Sequence, residues 1–233
     1  MNYTKNNKIE FEDLGTMEYG SCYSFQEKLM SLIIEQKKNN KTLELPIPTS
    51  NFLLFVEHPH VYTLGKSGDE KNMLINQEKL EQIQATYFKT NRGGDITYHG
   101  FGQIVGYPIL DLENFQTDIH KYMRNLEEVM ILTLNDYGLK GERSKGESGV
   151  WLDVGKPYVR KICALGVKVS RWITMHGFAF NVNTDLSYFE HIIPCGIKDK
   201  NVTSLERELE QKLDFEQVKL QVKKHFYEVF EAS

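Results

Sequence analysis

Apolar residues recur at helical spacing along three long stretches of the chain. Phe25, Leu29, Leu32 and Ile33 predict a helix over residues 24–36, followed by a polar loop at residues 37–41. Ile119, Tyr122, Leu126, Val129 and Met130 share one face of the strongest helix, residues 118–137, with Thr117 as its cap and Gly138 as its stop. Phe215, Val218, Val222, Phe226 and Val229 mark a last amphipathic helix. Shorter helices are expected at residues 76–87, capped by Asn76 and burying Leu80 and Ile83, and after Thr203-Ser204-Leu205-Glu206, which has capping-box spacing. Between them lie apolar runs of strand character at residues 52–56 and 103–112. Further strands are expected at 149–154, 161–165, 167–169 and 174–183. No internal repeat and no Pro/Gly/Ser-rich boundary interrupts this order. The pattern predicts a single α+β domain over residues 1–233, a mixed or antiparallel sheet flanked by helices, with residues 1–20 irregular.

Composition removes several classes of function. A chain of 233 residues with a net charge of −4 has room for one sizeable core and no general affinity for nucleic acid. No uncharged apolar run approaches a membrane span, and the first residues lack the apolar stretch of a signal peptide, so a cytoplasmic protein is expected. Three cysteines, Cys22, Cys163 and Cys195, make neither a disulfide framework nor a metal spacing. His58, His60 and His99 do not add up to a metal site, and no metal or cofactor is expected. Charge is uneven, however. Residues 141–172 hold seven basic against three acidic side chains, usually a solvated face but also a surface that suits an acidic partner.

Chemistry concentrates in two places. Residues 92–103 place Gly93, Gly94, Gly100 and Gly102 beside Arg92 and His99. Glycine loses much backbone entropy on folding and packs nothing, so four of them together point to a ligand cradle rather than a linker. The second place is Ile193-Pro194-Cys195-Gly196, where proline and glycine suggest a turn that presents the thiol. Cys163, within Ile162-Cys163-Ala164-Leu165, reads as a packed strand residue, and Cys22 fits either role. A cysteine nucleophile needs a nearby base or cation; spacing alone leaves His99, His176, His191 and Lys161 as candidates.

Read together, several ordered segments resemble the lipoyl(octanoyl) transferase family. They are residues 92–103, Lys161-Ile162-Cys163-Ala164-Leu165-Gly166, and Met175-His176-Gly177-Phe178-Ala179-Phe180-Asn181-Val182-Asn183 through Pro194-Cys195-Gly196. Glu57-His58-Pro59, Tyr62-Thr63-Leu64-Gly65, Gly106-Tyr107-Pro108 and Val202-Thr203-Ser204-Leu205 fit the same pattern, so the likeness runs from about residue 52 to 209. Two positions depart from it. Phe101 stands where the family usually has proline, and Asp95 where a Gln or another polar residue is common.

The resemblance implies the fold shared by biotin and lipoate protein ligases, and the first step of endogenous protein lipoylation. An octanoyl group would pass from octanoyl-acyl carrier protein to a lysine of lipoyl domains through a cysteine thioester. Acceptors would be the E2 subunits of 2-oxoacid dehydrogenases and the glycine cleavage H protein. It further implies Cys195 as nucleophile and Lys161 as its activating partner. Arg92, Gly93, Gly94, Asp95, Ile96, Thr97, Tyr98 and His99 would line the acyl site, together with Ala164, Leu165, Gly166, Gly177, Phe178 and Ala179. Main-chain N–H groups near Leu165 or Gly166 would serve as an oxyanion hole. Transfer between thioesters is nearly isoenergetic and amide formation is downhill, so no ATP is required. The alternatives are an ATP-dependent lipoate- or biotin-type ligase, a cysteine thioesterase of the same fold, and a non-catalytic module that binds acylated carriers or lipoyl domains.

Overall fold

The computed structural model describes residues 5–193 and 201–233. Among these, seven strands build one mixed sheet. Its order is β1 (Glu10–Thr16), β2 (Phe52–Glu57), β6 (Gln103–Ile109), β9 (Ile173–Asn181), β8 (Arg160–Ser170) and β10 (Asn201–Val202), with β7 (Val150–Leu152) also paired to β8. The β2–β6–β9–β8 centre is antiparallel, whereas β1 and β10 add in parallel at the two edges. A second, three-stranded sheet has the order β4 (Thr86–Lys89), β3 (Val61–Leu64), β5 (Ile96–His99). The α+β class with a mixed sheet flanked by helices is the one the sequence predicts.

Both faces of the large sheet are covered, which is why its central strands are apolar almost throughout. Helices α3 (Ile119–Asp136) and α5 (Phe215–Val229) pack Leu126, Val129, Met130, Val222 and Phe226 against Phe55, Ile104, Phe178 and Phe180. On the opposite face, α1 (Tyr19–Asn40) sets Cys22, Leu29, Met30 and Ile33 against Leu54, Val56, Val105 and Met175. A third cluster around Tyr62, Ile96 and Tyr98 joins the small sheet to α2 (Gln77–Gln82) and to a 3-10 turn at Leu186–His191.

The element boundaries correct the sequence reading at several points. Residues 10–16 are not irregular: they pair with β2, and the Phe11 ring meets Phe55 edge-on at 5.1 Å. Helix α1 continues through the lysine-rich stretch read as a loop, because Lys37 pairs with the buried Asp111 and the Asn40 side chain bonds both main-chain groups of Ile47. The cap of α3 is Asp118, whose carboxylate accepts from Lys121 N, and not Thr117. Helix α2 is shorter than expected and gives way at Gln84 (φ +53°) to β4. Ser204 caps α4 (Leu205–Leu209) with Arg207 at the third position, so no reciprocal capping box forms. Residues 161–165 and 167–169 belong to one long strand, β8, since Gly166 pairs in register with Gly177. The glycine-rich cradle, residues 92–103, contains a strand the sequence pattern does not announce, β5.

Candidate active site

A cavity of ≈ 310 Å³ opens between the large sheet and the small one. Its floor comes from β6, β8 and β9 through Val105, Ala164, Gly166, Gly177 and Ala179, and the small sheet supplies Ile96, Thr97 and His99. Two cross-strand pairs set the character of that floor. Ala164 faces Ala179 and Gly166 faces Gly177, so no side chain larger than methyl rises from them. The lining is mostly apolar, as suits a hydrocarbon ligand held by a few polar groups.

Lys161 reaches this cavity because of a bulge. Val150 pairs with Cys163 and Trp151 with Lys161, leaving Ile162 as the extra residue on β8. Ile162 and Cys163 therefore both enter the core beneath α3 and α5, and Lys161 falls on the cavity side with Ala164. Its ammonium stands 4.4 Å over the Trp151 ring, a cation–π contact.

The glycine-rich stretch forms one wall. Gly93 N donates to Val167 O at 2.9 Å and docks the stretch on β8. A methyl group on Gly166 would lie 2.9 Å from Gly93 O, so this approach requires glycine. Arg92 is buried, donating through Nη2 to Thr63 O (2.6 Å) and Thr63 Oγ1 (3.0 Å) and through Nη1 to Gly93 O (3.0 Å). Asp95 accepts from its neighbour Ile96 N at 2.7 Å and from Asn72 Nδ2 at 2.6 Å. Phe101 is half-exposed at the tip of the turn, edge-on to His60 at 5.2 Å. The turn is held without proline: Gly102 N donates to Glu57 Oε1, and Gly102 O accepts from Val182 N and Asn183 N.

Three histidines in or behind the wall are neutral. Burial, with His58 and Arg92 nearby, holds His99 well below its usual range. Burial lowers His58 to about 4; its Nδ1 donates to Met17 O, and its Nε2 accepts from the Tyr107 hydroxyl at 2.8 Å. Burial, with Arg92 second, lowers His176 to about 3. His176 has left-handed backbone (φ +61°), and its N–H leaves the sheet to donate to Gln26 Oε1. Its Nε2 lies 3.0 Å from Asn91 Oδ1, and its Nδ1 has no hydrogen-bond partner among the described residues. Such backbone in a non-glycine residue is often found at binding sites.

Of the residues singled out from the sequence, Arg92, Gly94, Asp95, Ile96, Thr97, His99, Lys161, Ala164, Leu165, Gly166, Gly177, Phe178 and Ala179 meet around this cavity. Gly93 and Tyr98 do not line it. Gly93 is the docking point on β8, and Tyr98 is buried in a ring stack with Tyr188 and His60. Cys195 lies outside the described residues. The other two thiols are poor nucleophiles, with burial pushing Cys22 up to about 12 and Cys163 higher still. The basic segment 141–172 is partly spent inside the fold: Arg143 pairs with Glu127 and Glu128, and Arg160 with Asp153 and Glu208. Sequence reasoning missed Tyr19, Tyr107, Asn181, Phe189, Val202 and the 146–148 loop as lining residues. Tyr107, Asn181 and Val202 sit within the motifs that carry the family resemblance, a signal available but not used; the 146–148 loop has no pattern to betray it.

Comparisons with known proteins agree with this geometry. The family model for the lipoyl protein ligase A/B catalytic domain matches residues 22–227. A protein of Flavobacterium johnsoniae named octanoyltransferase is 62% identical over 228 residues, 97% of this chain and 98% of that one. One of Christiangramia forsetii, with the same name, is 60% identical over 97% of each chain. Among solved structures, a bipartite lipoate protein ligase from Thermoplasma acidophilum superposes with a TM-score of 0.67 at 14% identity, covering 98% of this chain and 85% of its own.

Proposed function

This chain belongs to the lipoyl protein ligase A/B catalytic-domain family, and on that premise we propose that it is an octanoyltransferase. It takes the octanoyl group from the thioester of acyl carrier protein and delivers it to a lysine amine on a lipoyl domain, in the cytoplasm. The relatives at 62% and 60% identity carry that name over nearly their whole length. The observation that carries the reading here is the cavity itself, with an amine, Lys161, beside a floor of Ala164, Gly166, Gly177 and Ala179. That is the shape of a slot for an unbranched acyl chain next to a group able to manage a thiol.

In this reading Cys195 attacks the carbonyl of the carrier thioester. The carbon–sulfur bond to the carrier breaks, its thiol leaves with a proton, and the octanoyl group remains on Cys195. The Lys161 ammonium stabilises the Cys195 thiolate by Coulomb attraction, and its amine form takes the proton that the incoming lipoyl-domain lysine must lose. Attack by that lysine forms the amide and releases Cys195. Ile96, Val105 and Ala179 exclude water from the chain, and main-chain N–H groups near Leu165 or Gly166 steady the oxyanion. Arg92, Gly93 and Asp95 shape the wall. The 3-10 turn before Cys195 is anchored to the small sheet by Tyr62 Oη donating to Tyr188 O, and Ile193 N donates to Asn72 O. A cytoplasmic location is in keeping with two free thiols and with the absence, among the described residues, of a helix long and apolar enough to cross a membrane.

The test compares acyl sources. With an unmodified lipoyl domain present, octanoyl-carrier thioester should yield the octanoyl-lysine amide without nucleotide, and free octanoate with ATP should yield none. Product from octanoate and ATP alone would make the protein a ligase, and free octanoate released from the thioester with no amide would make it a thioesterase.

A further inference from the structure

His99 is the obvious base in the glycine-rich stretch, yet its hydrogen bonds give it another task. Gln103 Nε2 donates to Tyr98 O (3.2 Å) and to Asn181 Oδ1 (2.9 Å), and Asn181 Nδ2 donates to Thr203 O (3.0 Å). Main-chain carbonyls only accept, so these contacts fix which end of each amide carries nitrogen. Gln103 must then turn Oε1 toward His99, 2.8 Å from Nδ1, which makes Nδ1 the protonated nitrogen. The remaining nitrogen, Nε2, accepts from Thr63 Oγ1 at 3.3 Å, and that hydroxyl in turn accepts from Arg92 Nη2. Every polar atom of the His99 ring is committed, and the whole relay runs in one direction.

The relay ends on the proposed catalytic lysine. Thr203, whose carbonyl Asn181 holds, donates its N–H to Lys161 O at 2.9 Å, and Val202 pairs with Lys161 where β10 joins β8. His99, Gln103, Asn181 and Thr203 are all buried, so no water competes for these bonds. Resting on the octanoyltransferase reading, we propose that His99, Gln103 and Asn181 are positioning residues. They fix β10 against β8 and thereby aim Lys161 into the cavity, and His99 transfers no proton in the reaction. The groups facing His99 are Arg92, His58, His176 and the stacked Tyr19 ring, none of them an anion that would hold a proton on it.

Donor retention separates positioning from proton transfer. In His99→Asn the side-chain amide can still donate to Gln103 but cannot serve as a base, whereas His99→Ala removes both abilities. Single-turnover formation of the octanoyl thioester on Cys195 would be followed from pH 5.5 to 9.5, alongside the alkylation rate of Cys195 by iodoacetamide. His99→Asn should keep at least a fifth of the native rate with the pH profile unchanged in shape. His99→Ala and Asn181→Asp should be at least 30-fold slower, with the alkylation profile of Cys195 moved to higher pH and the octanoyl-carrier KM within about threefold. If Asn181→Asp fails to fold, Asn181→Ala gives the same comparison. Equal losses in His99→Asn and His99→Ala, with one limb of the profile gone, would make His99 a base and overturn the proposal. Native rates in the Asn181 variant would overturn it as well. Failure of the native protein to form any thioester would defeat the transferase reading instead, leaving the alkylation profiles to decide whether the relay governs Lys161.

Discussion

Buried neutral histidines make the cavity wall sensitive to acid. The folded pKa of His58, about 4, lies below its free value of about 6.5, so the unfolded chain takes up the extra proton first. Its stabilisation is complete above about pH 6.5 and is lost as the pH falls toward 4, reaching about 3 kcal/mol for this one group. His176 adds to the same slope down to about 3. Urea midpoints measured between pH 7 and 4.5 should therefore fall steeply, and His58→Asn, which retains a donor for Met17 O, should flatten the fall by about one proton. An unchanged slope in that variant would contradict the burial argument. At this scale the sequence was informative about side chains whose neighbours are local. Ile162-Cys163-Ala164 reads as packed strand, and Cys163 is a core thiol. It was silent about the role of His99, because Thr63 and Gln103, which bond the ring, and Asn181, which bonds Gln103, come from three different strands.

Among the elements, the β8–β9 hairpin and the wall docked on it govern the site. Ser170 pairs with Ile173, so Arg171 and Trp172 form a two-residue turn with both φ values positive, +53° and +67°. Right-twisted strands favour such a turn, but these residues tolerate it poorly. Replacing the pair by Asn-Gly should stabilise the protein by about 1 kcal/mol, read as a higher denaturant midpoint at constant slope; a lower midpoint would show that the Trp172 side chain outweighs the backbone term. Gly166→Ala should act the other way. The new methyl meets Gly93 O, so a loss of about 1–3 kcal/mol is expected, with faster proteolysis of residues 92–95. Native stability in that variant would mean that the wall yields without cost. Periodicity located α3 and α5 to within a residue or two, since their apolar faces alone decide their packing. It stopped α1 short at the lysines, because Asp111, which holds Lys37 within the helix, lies 74 positions further on. The short strands β3, β4 and β5 escaped notice for a related reason. Four residues each, they exist by pairing with one another and not by any pattern of their own.

For the whole molecule, two sheets and a glycine-rich wall bring distant motifs around one cavity. Most of the proposed site was legible as motifs in order along the chain, while its shape was not. The bulge at Ile162 that turns Lys161 inward and the pairing of Val202 with Lys161 are properties of the assembled sheet. The central claim is that an octanoyl group passes through Cys195 with help from Lys161. Intact-protein mass measured after incubation with octanoyl-acyl carrier protein tests it most directly. A single octanoyl adduct should appear, map to Cys195 and be released by hydroxylamine. It should be absent as a thioester in Cys195→Ser and form at least 100-fold more slowly in Lys161→Ala. Amide product on a lipoyl domain from Cys195→Ser at the native rate, with no adduct on the native protein, would contradict the account.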